Sequence, residues 1–165
     1  MIVIRTATLS ELPVIQQIAR QTWPHTFGEI LTPAQITYML DWMYSLPSLT
    51  EQVTQRGHVF LLAQDGSDFP GFASYETNYQ NEPKTKLHKI YILPNQQGRG
   101  VGRLLMDEVI RLARQQGNTS LSLNVNRHNR AKEFYERLGF HVAAEEDIDI
   151  GGGYLMQDYV MERGI

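Results

Sequence analysis

The chain contains no cysteine in its 165 residues. Disulfides, thiolate metal sites and a cysteine nucleophile are therefore excluded. It also lacks any apolar run of membrane-spanning length, and Met1-Ile2-Val3-Ile4-Arg5 is too short and wrongly flanked for a signal peptide. A cytoplasmic address follows by default. Internal repeats, low-complexity segments and linkers are missing, so residues 1–165 read as one domain, large enough for a hydrophobic core. Charge of either sign is in little excess. The formal net charge of −3 argues against a general nucleic-acid binder. None of the five histidines has partners at zinc-ligand spacing, and no metal is expected.

What is present is concentrated between residues 90 and 105. An apolar run ends at Pro94, Gln97-Gly98-Arg99-Gly100-Val101-Gly102 follows, and an amphipathic pattern begins at once. This predicts a strand, a tight loop and a helix N-terminus. Such a junction binds anions, because the first helical turn leaves unpaired N–H groups at the positive end of the helix dipole. Small residues let the main chain approach a phosphate closely. The chain has no GKS or GKT, so the lysine and magnesium-binding hydroxyl of a Walker loop are missing. A pyrophosphate held without metal is the better match.

The rest of the chain frames that loop. Ile2 to Thr6 reads as a strand, and Thr8-Leu9-Ser10-Glu11 as a capping box before Leu12, Ile15, Ile18 and Ala19 at helical spacing. Thr32-Pro33-Ala34-Gln35 and Ser48-Leu49-Thr50-Glu51 predict two more helix starts. His58 to Gln64 and Gly71 to Asn78 suggest a hairpin about Asp65-Gly66-Ser67-Asp68, with Lys86 to Leu93 as its third strand. After the loop, Val101, Leu104, Leu105, Val109 and Leu112 form an apolar side opposite Arg103, Asp107, Arg111 and Arg114. Leu121 to Val125 alternates as a strand, and Ala131, Phe134 and Leu138 mark a short helix closed by Gly139. Phe140 to Ala144 and Tyr154 to Met161 are the last strands, separated by a mobile turn at Gly151-Gly152-Gly153. The order predicts an α/β fold with the ligand loop at the carboxyl end of a central strand.

Gln97-x-x-Gly100-x-Gly102 after a strand, followed about one strand later by Asn129-Arg130-Ala131-Lys132-Glu133-Phe134-Tyr135-Glu136-Arg137-Leu138-Gly139-Phe140, closely resembles the acetyl-CoA-binding core of the GNAT superfamily of N-acetyltransferases. The likeness covers residues 86–140. Thr26-Phe27 and the Asp158-Tyr159-Val160-Met161-Glu162 ending look like the polyamine and small-amine branch. The resemblance implies a mixed, mostly antiparallel twisted sheet of about seven strands flanked by helices, splayed between the fourth and fifth strands. It implies acetyl-CoA as co-substrate, with pantetheine on the backbone of Tyr91 and Ile92 and near Asn129. Pyrophosphate would lie on the loop (Gln97, Gly98, Arg99, Gly100, Val101, Gly102, Arg103), with Arg99 and Arg103 adding charge. Tyr135 would stand near the sulfur.

Acetyl transfer to an amine needs a neutral nucleophile, a polarised thioester carbonyl and a proton for the departing thiolate. A strand N–H, that of Ile92, polarises the carbonyl, and the Tyr135 phenol protonates the sulfur. Related sequences carry a glutamate near the position of Lys86, so the base is open here. His88 shares a sheet face with Lys86 and has a suitable unperturbed pKa. Glu76 is another candidate, and solvent a third. Trp23, His25, Phe27, Tyr38 and Trp42 offer an aromatic wall for an alkyl ammonium, or simply pack between helices. Glu29, Asp41 and Glu82 could attract a cation. The expected partner is a small-molecule amine, and edge strands favour a homodimer. The competing readings are transfer to a protein N-terminus or lysine, a non-catalytic acyl-CoA-binding module, and a Rossmann-type nucleotide-binding protein.

Overall fold

The structure, a computed structural model, describes residues 1–165. Strand β1 (Val3–Thr6) leads into a single 3-10 turn at Leu9–Glu11. There the Thr8 N–H donates to Glu11 Oε1 at 2.9 Å, and Arg5 forks onto both oxygens of the same carboxylate at 2.8 and 2.6 Å. The Arg5 guanidinium, helped by that amide, holds the Glu11 carboxyl down at about 2. Helix α1 (Leu12–Phe27) then buries Leu12, Ile15, Ile18 and Ala19. Helix α2 (Pro33–Tyr44) is capped by Thr32, whose hydroxyl accepts the Gln35 N–H at 3.1 Å.

Helix α3 (Leu46–Thr54) begins earlier than its Ser48-Leu49-Thr50-Glu51 pattern suggests. The cap is Ser45, whose Oγ accepts the Ser48 N–H at 3.3 Å, and Pro47 sits in the first turn. Strands β2 (Val59–Asp65) and β3 (Asp68–Glu76) form the expected hairpin, and β4 (Lys84–Ile92) extends it. Helix α4 (Val101–Gln115), strand β5 (Ser120–Asn126) and helix α5 (Ala131–Arg137) follow. Strands β6 (His141–Gly151) and β7 (Tyr154–Gly164) close the chain and run well beyond their predicted lengths. No helix is long and apolar enough to cross a membrane.

All seven strands join one sheet in the order β1-β2-β3-β4-β5-β7-β6. Every neighbouring pair is antiparallel except β4 and β5. That parallel ladder is short: Lys84–Leu87 pairs with Ser120–Leu123 and then stops. Beyond it β4 stays paired only with β3, and β5 only with β7. The sheet therefore opens into a V between its fourth and fifth strands, as expected.

Two apolar layers hold the sheet. On one face Trp23, Ile36 and Leu49 of α1–α3 pack on Phe60, Leu62 and Phe72. On the other Val101, Leu105, Val109 and Tyr135 pack on Leu61, Leu87, Leu121 and Leu123. Each such buried aliphatic side chain is worth about 1.5–3 kcal/mol. Leu104 departs from its predicted place and is 40% exposed, because the buried stripe of α4 is narrower and centres on Leu105 and Met106. The residues flanking the Gly151-Gly152-Gly153 turn are tied to α2. Tyr38 Oη donates to the Ile150 carbonyl at 2.8 Å, and Gln35 Nε2 donates to the Leu155 carbonyl at 3.2 Å. A Cβ at Gly151 would meet Tyr38 Oη at 2.7 Å.

Candidate active site

The chain leaves β4 through one 3-10 turn (Pro94–Gln96) and enters α4 at Gly100. Gly98 and Gly100 adopt φ of 83° and 77°, left-handed values that cost a side chain about 1–2 kcal/mol. The amides of residues 97–103 bond to no backbone acceptor, and the first helical bond is Leu104 N–H to the Gly100 carbonyl at 3.1 Å. Gln97, Gly98, Arg99, Gly100, Val101, Gly102 and Arg103 thus form a rim of free donors at a helix N-terminus. Val101 is buried and anchors it. Gly102 has another use: a Cβ there would lie 3.3 Å from Phe134 Cζ, so the bare glycine lets α5 close on α4.

The two arginines of the loop differ. Arg99 Nη2 bonds Asp65 Oδ2 at 2.7 Å, and Arg99 also bonds Gln96. It is tied to the β2–β3 hairpin, where its hydrogen bond is the main cause lowering the Asp65 carboxyl. Arg103 is exposed and makes no ion pair.

Between the limbs of the V, the edge of β4 from His88 to Ile92 has no partner on β5. Ile90 and Ile92 turn toward α4, while the Tyr91 ring packs the other way, 5.9 Å from both Trp23 and Phe72. Asn129 spends its Oδ1 on the Ala131 N–H at 2.9 Å, ordering the start of α5 and leaving its amide N–H groups free. Tyr135 is 8% exposed and wedged edge-on between Phe134 and Phe140, at 5.5 and 5.9 Å. Burial pushes its phenol above the ordinary value, so it stays protonated.

A bulge governs the base candidates. Ser74 pairs with Lys89 and Tyr75 with Leu87, so His88 is the extra residue. Lys86, His88, Lys89 and Tyr91 consequently share the face toward α1–α3. His88 Nε2 lies 3.0 Å from Glu76 Oε1, and His58 Nε2 lies 3.5 Å from the same oxygen. The two imidazoles stack at 3.9 Å and 14°. These three residues could all reach one ion, their ligand atoms lying within 4.8 Å. Only His88 hydrogen-bonds that oxygen, while His58 Nε2 stands further off. Burial pushes His88 down to about 2 and His58 to about 4, so both are neutral, and burial raises Glu76. Lys89 is buried, with Nζ on Gln52 Oε1 at 2.7 Å and 5.7 Å above the Tyr44 ring. Its burial lowers it to about 7.

The aromatic residues divide between packing and exposure. Trp23 and Phe27 are only 2% and 4% exposed, their rings tilted against each other at 4.4 Å inside the α1–α3 layer. They belong to the core, since helical spacing placed them on the inner stripe of α1. Trp42 is 51% exposed and lies over Tyr38, which in turn meets Tyr154. Sequence reasoning also missed Asn124 and the buried Asp158. The available signal was Asn124 on the polar side of the alternating strand Leu121–Val125, two residues from Ser122.

A seven-stranded sheet parted beside a glycine-formed donor rim sets an anion site next to an open strand edge. Residues 12–140 match the Acetyltransferase (GNAT) family. The chain belongs to that family and is an acetyl-CoA-dependent N-acetyltransferase. It is 30% identical over 130 residues to a 5-NmdU N-acetyltransferase of Pseudomonas phage PaMx11, covering 78% of this chain and 89% of the relative. It is 26% identical over 159 residues to a spermidine N(1)-acetyltransferase of Thermoplasma acidophilum, covering 93% and 94% of the two chains. The crystal structure of PaiA N-acetyltransferase from the same organism, in complex with coenzyme A, superposes with a TM-score of 0.83 at 25% identity, covering 100% of this chain and 99% of that one.

Proposed function

We propose that this chain, acting as one catalytic domain, moves the acetyl group of acetyl-CoA to the primary amine of a small cationic molecule of the polyamine class. The observation that carries the reading is the parted β4–β5 ladder, closed at one end by the Gln97–Arg103 donor rim and flanked by the buried Tyr135. The similarity to a spermidine acetyltransferase over nearly the whole chain supports the acceptor class.

The free amides of the loop take the diphosphate, and the unpaired edge at Tyr91 and Ile92 bonds the pantetheine as a neighbouring strand would. One N–H of that edge polarises the thioester carbonyl, a contribution of about 3–4 kcal/mol. The amine lone pair attacks the carbonyl carbon, a C–N bond forms and the C–S bond breaks. The Tyr135 hydroxyl delivers its proton to the leaving sulfur. The ammonium proton departs toward the Glu76–His88 pair. Because burial leaves His88 so weakly basic, the Glu76 carboxylate is the acceptor of that pair, and His88 orients it. The exposed β6 strand is the surface through which two copies would pair.

The test is release of free CoA thiol when acetyl-CoA is mixed with a panel of polyamines, amino acids, aminoglycosides and short peptides. Turnover with polyamines supports the reading. Turnover confined to peptides would replace it with protein acetylation, and CoA binding without thiol release on any amine would leave a binding module.

A further inference from the structure

Of the buried side-chain atoms without a hydrogen-bond partner, those of Trp23, Tyr44, His58 and Ser74 belong to neutral groups, and the remaining one is Asp158 Oδ1. Asp158 is only 7% exposed. A buried carboxylate oxygen without a donor is costly, more so than a hydroxyl or indole N–H in the same position. Such an atom calls for a functional explanation.

Its surroundings narrow that explanation. Asp158 lies on β7 opposite Asn126, on the limb of β5 that has parted from β4. Its other oxygen accepts from Asn124 Nδ2 at 3.3 Å, and the same amide reaches Glu146 Oε2 at 3.2 Å on exposed β6. Two cations are close by, and both are committed elsewhere. Lys86 Nζ donates to Asn124 Oδ1. Arg127 reaches Asp147 Oδ1 at 2.5 Å and the Glu146 carbonyl at 3.1 Å, and touches Asp158 only through its main-chain oxygen at 3.4 Å. Together Lys86 and Asn124 orient the carboxylate from one side and leave Oδ1 free. Glu146 continues the negative line outward to solvent.

We propose that Asp158 is the cation-recognition residue of the acceptor site: its Oδ1 accepts a charge-assisted hydrogen bond from an ammonium of a diamine or polyamine, with Glu146 attracting the next positive nitrogen. The assignment rests on the acetyltransferase reading for its reaction, but the binding claim stands apart from it. An ammonium supplies up to three N–H donors and a positive charge, which is what the orphaned oxygen lacks. The pairing selects charged amines over neutral acceptors of similar size, because a neutral group would leave the carboxylate buried and unpaired.

The experiment is calorimetric titration of spermidine into the intact protein saturated with CoA, for wild type and Asp158→Asn, with thermal melting of each without spermidine. Loss of the ion pair is expected to weaken spermidine by about tenfold or more and to leave CoA affinity unchanged. The melting temperature of Asp158→Asn is expected to rise, since an unpaired buried charge has been removed; a carboxylate with a purely structural role would give a fall. Equal spermidine affinity in the two proteins, or no spermidine binding by wild type, overturns the proposal. Should Asp158→Asn fail to fold, Glu146→Gln on the exposed strand takes its place. A loss of about threefold is then expected, and unchanged affinity overturns the proposal. Spermidine binding that depends on Asp158 without thiol release from acetyl-CoA would uphold the site and defeat the catalytic reading.

Discussion

Leu87 of β4 lies opposite Leu123 of β5, and no later residue of β4 has a partner on β5. Both leucines are buried against α4, so the point of parting is clamped by apolar packing. The next residue of β4, His88, is the bulge in its pairing with β3. Extra twist on one edge and lost pairing on the other therefore fall at the same place. The opening is built into the sheet and does not await a ligand.

Tyr135→Phe keeps the ring between Phe134 and Phe140 and removes only the hydroxyl. Steady-state turnover should fall by about 10²-fold or more, the usual size of a general-acid contribution. CoA affinity, measured by calorimetry, should stay within about twofold, as expected when a group acts only in the transition state.

Arg103→Ala should weaken CoA more than Arg99→Ala. Arg99 must give up its contact with Asp65 at 2.7 Å to reach an anion, whereas Arg103 has no such partner. The difference should shrink as salt is raised, because both residues are exposed. Equal losses would mean that the Arg99–Asp65 pair contributes nothing to the choice.

Gly100→Val places a β-branched residue at φ 77° in the N-cap of α4. It should cost about 1–2 kcal/mol of stability and displace the donor rim, so CoA affinity should drop along with the melting temperature. Gly102→Val is different, since its side chain would press on the Phe134 ring. That change should lower turnover by shifting Tyr135.

The pH dependence of stability follows from three groups whose charged forms burial disfavours, His58, His88 and Lys89. Burial lowers His58 to about 4, below the ordinary histidine value, so between about 6.5 and 4 the unfolded chain binds a proton that the folded chain refuses. Melting temperature should therefore fall as pH drops through that window. His88 extends the loss to lower pH. Burial also lowers Lys89 to about 7, so stability should rise from pH 7 toward about 10. Lys89→Met should flatten the alkaline rise and leave the acid fall in place, as read by thermal melts across pH.

Much of this was legible in the residues. The element order, the tight glycine loop at Gln97–Gly102, the hairpin about Gly66 and the Gly139 stop depend on local backbone chemistry, which neighbouring residues alone can report. The misplaced start of α3 shows the limit of that logic: Ser48 and Ser45 are equally good caps in isolation, and Pro47 in the first turn settled the choice. The two readings of the aromatic residues could not be separated along the chain. Helical spacing puts Trp23, 2% exposed, on the inner stripe of α1, whereas the 51% exposure of Trp42 is set by how α2 packs. The Glu76–His88–His58 cluster, the Lys86–Asn124–Asp158 chain and the bulge at His88 depend on strand register across β2, β3, β4, β5 and β7. No single-strand pattern encodes them.

The central claim is that the β4–β5 gap and the loop at its end hold the coenzyme. The most direct measurement is a crystal structure with CoA bound. It should place the pantetheine arm between the β4 edge at Tyr91–Ile92 and the parted limb of β5, with the diphosphate on the amides of residues 98–103. A coenzyme seated elsewhere, or a β4–β5 ladder that closes to full length with CoA outside it, would contradict the account.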